Sequence, residues 1–155
     1  MKIHNNIKSL KTSATLAINE LSKQLIEEGK EVFKFGLGQS PFPVPKVIVD
    51  ELKKHSHQKD YLNVSGLLGL REEVAKYHSN KNQYNYDSEN VMIGPGSKEL
   101  IFQTQLALDC DLILPSPSWV SYEPQAQILN KKVHWIKATA ETNWHLSPEE
   151  LDKSC

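Results

Sequence analysis

The chain has 155 residues, 39% hydrophobic and 24% charged, with 18 basic against 19 acidic side chains and a formal net charge of −1. That length supports one ordinary domain with a core, and the even spread of charge leaves no basic stripe for nucleic acid or an anionic membrane. No apolar run approaches bilayer length, Met1 to Asn6 lack a signal peptide's apolar segment, and Cys110 and Cys155 have no metal-type spacing, so a reduced, cytoplasmic protein is expected.

Leu16, Ile18, Leu21, Leu25 and Ile26 recur at close to helical spacing and predict a helix over 14–28, with Gly29 as its stop. A short strand is expected over 31–35. It runs into the fixed-shape loop Gly36 to Pro45, which its prolines keep out of strand and helix interiors. Pro45 suits the first position of a helix to about His55. A loop carrying Tyr61 leads to Gly66 and a helix over about 68–79, and the polar stretch 80–90 reads as surface loop.

From Asn90 the pattern alternates, with strands at 90–94, 111–114 and 132–136 and helices at about 97–108 and 118–130. This rhythm implies an α/β fold with an open, mostly parallel sheet and flanking helices. Trp135, inside the last strand, is expected to pack. Ser147-Pro148-Glu149-Glu150 forms a capping-box pattern that opens another helix. A capped helix that scarcely starts before Cys155, beside a sheet of only three strands, is expected to belong to a larger, interrupted domain.

Two strand ends carry chemistry. Gly94-Pro95-Gly96-Ser97-Lys98 follows one strand, and its glycines allow a tight turn into a helix whose first N–H groups and dipole suit a phosphate dianion. The same residues also describe a plain serine-capped turn. Pro115 to Tyr122 follows the next strand and places Trp119 at its carboxyl end, where open α/β sheets bind ligands. Trp119 is either a stacking face for an aromatic ring or a core or helix-start residue. Tyr61 could present its hydroxyl to an anion or pack through its ring. Arg71 reads as a surface or structural ion pair, and the Lys98 amine as a solvated helix residue. The scattered histidines form no metal or paired-carboxylate arrangement.

In this order the motifs resemble those of the class I/II aminotransferases, the fold type I enzymes that use pyridoxal 5′-phosphate. The glycine-proline loop Gly36 to Pro45 is followed by Y-x4-G-x3-L-R (Tyr61, Gly66, Leu70, Arg71), by Gly96-Ser97-Lys98, and by P-x-W-V-S-Y (Pro117 to Tyr122). The resemblance implies a cofactor site in which Trp119 stacks on the pyridine ring and the Gly96-Ser97-Lys98 turn cradles the phosphate. It also implies that Tyr61 reaches across a homodimer interface to the partner's cofactor phosphate, and that Gly38 lies over the substrate, an amino acid or a 2-oxo acid. Residues 1–44 would form an N-terminal arm and small-domain segment, and 45–155 the first part of the large cofactor-binding domain. The chain departs from the family at Gly38-Gln39-Ser40-Pro41-Phe42, where an acidic G-E-P-D-F loop is usual, and at Asp109-Cys110-Asp111, which shortens a P-G-D-E turn.

No lysine here stands in the family's S-x-[ST]-K pattern, so the Schiff-base lysine is expected outside this chain and no catalytic residue within it. The sequence reading is thus the N-terminal part of an aminotransferase, inactive alone. A lyase of the same fold and a truncated, non-catalytic remnant are the alternatives.

Overall fold

Apolar spacing and stop signals place the helices. In the computed structural model, which describes residues 2–154, α1 (Asn5–Lys8) precedes α2 (Ala14–Glu27). Gly29 ends α2 with φ +81. The Lys30 N–H bonds to the Leu25 carbonyl at 3.0 Å and the Gly29 N–H to that of Ile26 at 2.9 Å, the paired bonds of a Schellman cap. Then come α3 (Lys46–His55), α4 (Leu68–Asn82), a 3₁₀ turn (Ser88–Asn90), α5 (Ser97–Ala107), β1 (Leu112–Ser116), α6 (Tyr122–Ile128), β2 (Val133–Lys137) and α7 (Pro148–Ser154). Among the described residues, no helix is long and apolar enough to cross a membrane.

The chain divides into two compact units, one made of residues up to 38 with those from 101 onward, the other of residues 39–100. In the first, β1 and β2 pair in parallel, from Leu112 opposite Val133 to Ser116 opposite Lys137, with α6 between them in sequence. Ala126 of α6, Leu114, Ala138 and Ile136, which is 1% exposed, form its buried apolar centre. The Asn6 amide donates to the Ile128 carbonyl and the Gln127 amide to Ser9 Oγ, fastening α1 to the end of α6. At α7, Ser147 Oγ accepts from the Glu150 N–H at 3.1 Å, so the expected cap forms. The second unit packs α4 against the 3₁₀ turn around Arg71 and Ala75.

Three expectations are corrected. Segments 31–35 and 91–94 form no strand, and Asn90 belongs to the 3₁₀ turn, so the sheet has two strands rather than three among the described residues. A strand exists through its ladder, and no described segment supplies one; Phe33 and Phe35 lie exposed. The helix expected over 118–130 is α6, which begins at Tyr122, because Trp119 to Ser121 form a turn closed by the Tyr122 N–H on the Trp119 carbonyl. It ends at Ile128, because Asn130 takes φ +55 and the Lys131 N–H returns to the Ala126 carbonyl. Trp135 is 44% exposed, on the outward position of β2 beside Asn6 and Gln127. Smaller shifts affect α4, which continues to Asn82, and Pro45, which caps α3 instead of opening it.

Candidate functional site

The glycine-rich turn belongs to the second unit. Gly96 has φ +129, a backbone state that L side chains rarely adopt, and a Cβ built there meets nothing within 4 Å. Its carbonyl accepts the first two intrahelical bonds of α5, from Glu99 at 3.2 Å and Leu100 at 3.4 Å. Gly96, not Ser97, therefore holds the N-cap position. The N–H groups of Ser97 and Lys98 precede the first intrahelical bonds, at the positive end of the helix dipole. Gly94 has a different constraint: a Cβ on it would stand 2.8 Å from Leu100 Cδ2.

The approach to this turn is tethered rather than paired. Asp87 caps the 3₁₀ turn, accepting from the Glu89 N–H at 2.8 Å while its own N–H donates to Asn90 Oδ1 at 3.1 Å. Arg71, 6% exposed, donates from Nη1 to the Ser88 carbonyl at 2.8 Å and has Glu89 at 3.5 Å. The Ile93 N–H bonds to the Ser65 carbonyl at 3.0 Å. Arg71, read as a surface or structural ion pair, is structural and buried.

Tyr61 lies in the loop between α3 and α4 of the same unit, fully exposed. Lys98 is exposed on the first turn of α5. Gly38 and Trp119 belong to the first unit. Gly38 is exposed in the loop after α2, with open space around it. Trp119 is 45% exposed, and its ring meets that of Tyr122 edge-on, with centroids 5.3 Å apart and planes at 78°. That contact fixes the indole at the carboxyl end of β1. Tyr122 stands in the same sequence motif, three residues on, and that spacing is the signal for the ring contact.

The shortened turn 109–111 is held in a way the sequence did not show. Lys131 Nζ donates to the carbonyls of Leu108 and Cys110, and Asp111 pairs with Nε2 of His134 at 3.1 Å. The hydrogen bond from His134 is the chief cause that holds the Asp111 carboxyl below its ordinary value. A second unforeseen contact is the buried hydrogen bond from Gln105 of α5 to Gln125 of α6, at 3.2 Å.

Residues 30–154 match the family described as aminotransferase class I and II. The chain belongs to the class I and II aminotransferases. It is 31% identical to the aspartate aminotransferase of Geobacillus stearothermophilus, over 99% of this chain and 40% of that protein. It is 26% identical to the asparagine–oxo-acid transaminase of Streptococcus mutans, over 97% of this chain and 40% of that protein. The crystal structure of aspartate aminotransferase from Thermotoga maritima superposes with a TM-score of 0.86 at 26% identity, covering 99% of this chain and 42% of that one. The chain thus spans about 40% of the length of the curated relatives it matches, and its fold is the corresponding α/β part of fold type I.

Class I and II aminotransferases depend on pyridoxal phosphate, and the residues present fit that group. The glycine-only backbone at Gly96, the open space over it and the N–H groups ahead of the α5 ladder suit a phosphate. The half-exposed indole of Trp119, braced by Tyr122, suits a flat ring.

Proposed function

We propose that this chain supplies the phosphate-binding and ring-stacking parts of a cytoplasmic, homodimeric, pyridoxal-phosphate-dependent aminotransferase acting on an amino acid and a 2-oxo acid. The observation that carries the reading is the Gly94-to-Lys98 turn opening α5 in a chain that matches the family over residues 30–154. Relatives named as aspartate aminotransferases support the reaction class. When bound, the cofactor supplies an electron sink for the amino acid's Cα.

The chain's residues bind and orient. Backbone N–H groups at Gly96, Ser97 and Lys98 donate to the phosphate without any side-chain charge that could titrate away. Trp119 covers one face of the ring and excludes water from it. Tyr61, fully exposed here, donates its hydroxyl to the phosphate of a neighbouring subunit, and Gly38 lets the backbone approach the substrate. In this reading residues 1–44 serve the small domain and 45–155 the large one, while the cofactor-holding lysine lies outside residues 1–155.

The test is amino-group transfer from a panel of amino acids to 2-oxoglutarate by the full-length protein with added cofactor. Transfer that disappears when the S-x-[ST]-K lysine of the full-length protein is replaced is the expected result. Product release without any requirement for a 2-oxo acid would assign a lyase instead. No reaction with any amino acid would assign a non-catalytic protein.

A further inference from the structure

We propose that Arg71 and Gly66 are positioning residues for the Gly94–Lys98 turn, acting on the phosphate site through the segment that leads into it. The inference rests on the reading of that turn as a phosphate site. The segment 91–94 belongs to no strand of the described structure, so its path is set by individual tethers.

Arg71 holds the upstream end. Its Nη1 reaches across 17 residues of sequence to the Ser88 carbonyl, which also accepts the Val91 N–H at 3.3 Å. One carbonyl thus joins the buried guanidinium to the first residue of the segment. Arg71 Nε is buried with no hydrogen-bond partner among the described residues, so the side chain carries a desolvation cost that the Ser88 bond must offset. A buried arginine spent on one backbone carbonyl fixes a position; Glu89, at 3.5 Å and largely exposed, contributes little to holding it.

Gly66 holds the segment in the middle. Its φ is +98, and a Cβ on it would stand 2.6 Å from Ile93 Cβ. The approach is steadied by the Ile93 N–H on the Ser65 carbonyl, while the Gly66 N–H returns to the Asn63 carbonyl at 2.8 Å and closes the turn beneath. Ile93 is β-branched and stiff, so it cannot swing away from an added methyl. Gly94 follows directly. A displacement of Ser88 or Ile93 therefore passes down a short segment to the turn itself.

The test uses pyridoxine 5′-phosphate and pyridoxine, which lack the aldehyde and bind without the lysine. In the full-length protein, the ratio of the two affinities isolates the phosphate's contribution. Arg71→Met is expected to lower that ratio about tenfold, with pyridoxine binding unchanged, and Arg71→Lys to restore most of it. The phosphate ³¹P shift should move toward its free value in Arg71→Met. Gly66→Ala should give the same selective loss while leaving the guanidinium in place, and it decides the matter if Arg71→Met does not fold. An unchanged ratio in the folded variants, or equal loss of both ligands, overturns the positioning role. A wild-type protein that does not prefer the phosphorylated ligand overturns the phosphate site itself, and the positioning role with it.

Discussion

Replacing each of the two glycines of the turn by alanine should destabilise the protein for different reasons, and a second substitution separates them. At Gly96 the cost is conformational. The backbone sits at φ +129 with nothing within 4 Å of the new Cβ, so Gly96→Ala should cost the strain of a disallowed region, about 1–3 kcal/mol. At Gly94 the backbone is ordinary and the cost is steric. The new Cβ stands 2.8 Å from Leu100 Cδ2, and ordinary contact at roughly 3.5–4.0 Å requires a shift of about 1 Å. Overpacking of this kind costs about 1–3 kcal/mol. Leu100→Ala removes the obstacle, so in the Gly94→Ala background it should recover about 1–2 kcal/mol relative to additivity. In the Gly96→Ala background it should recover nothing. Urea denaturation of the full-length single and double variants gives both couplings. Equal coupling at the two positions, or none at Gly94, would refute the assignment of strain to one glycine and crowding to the other.

Trp119→Ala should weaken cofactor retention by the stacking contribution of about 0.5–1.5 kcal/mol, roughly two- to tenfold, while Trp119→Phe keeps most of it; dialysis of the holoenzyme measures both, and equal losses would mean that the ring face is not used. Ile136→Ala empties the best-buried apolar position of the parallel pair and should cost about 3–4 kcal/mol. Ile113→Ala, at an exposed position of β1, should cost under about 1.5 kcal/mol, and denaturant midpoints rank the two. Because Asp111 titrates below its ordinary value in the folded protein, its contribution is present above the unfolded value of about 3.9 and is lost as pH falls through the lower, folded value. Urea midpoints of wild type and Asp111→Asn should therefore begin to converge as pH falls below about 5 and go on converging below the unfolded value of about 3.9; a gap that stays constant as pH falls from about 5 to below that value would remove Asp111 from the acid response.

Local signals were legible where the deciding interaction is itself local. Gly29 stops α2, Ser147 caps α7, and Gly96-Ser97 turns into α5, each through neighbours within a few residues. Strands were legible only when their partner was present. Leu112 to Ser116 and Val133 to Lys137 find each other, while 31–35 and 91–94 have no ladder among the described residues. Asn130 carries a stop signal of the same local kind, since asparagine is the usual substitute for glycine in a left-handed cap. For the candidate site, Trp119 stands just past the carboxyl end of β1, as strand-end reasoning expects, while Gly96 and Ser97 open α5 after a segment that belongs to no strand. The burial of Arg71 depends on a contact with Ser88, 17 residues away, which no spacing rule encodes, whereas the ring contact of Tyr122 with Trp119 is local, three residues apart, and within reach of the i,i+3 rule.

Ile18 and Gly36 record a constraint on how this sequence can drift. A Cβ at position 36 would lie 2.5 Å from Ile18 Cγ2, and that methyl belongs to a β-branched side chain held in one rotamer by α2. Two positions 18 residues apart can therefore change in only one order. A lineage that first puts alanine at 36 meets the clash, whereas one that first shortens residue 18, itself half exposed, passes through a tolerable intermediate. Relatives with a side chain at 36 should carry alanine, serine or glycine at 18. Their ancestors should show the change at 18 preceding the change at 36.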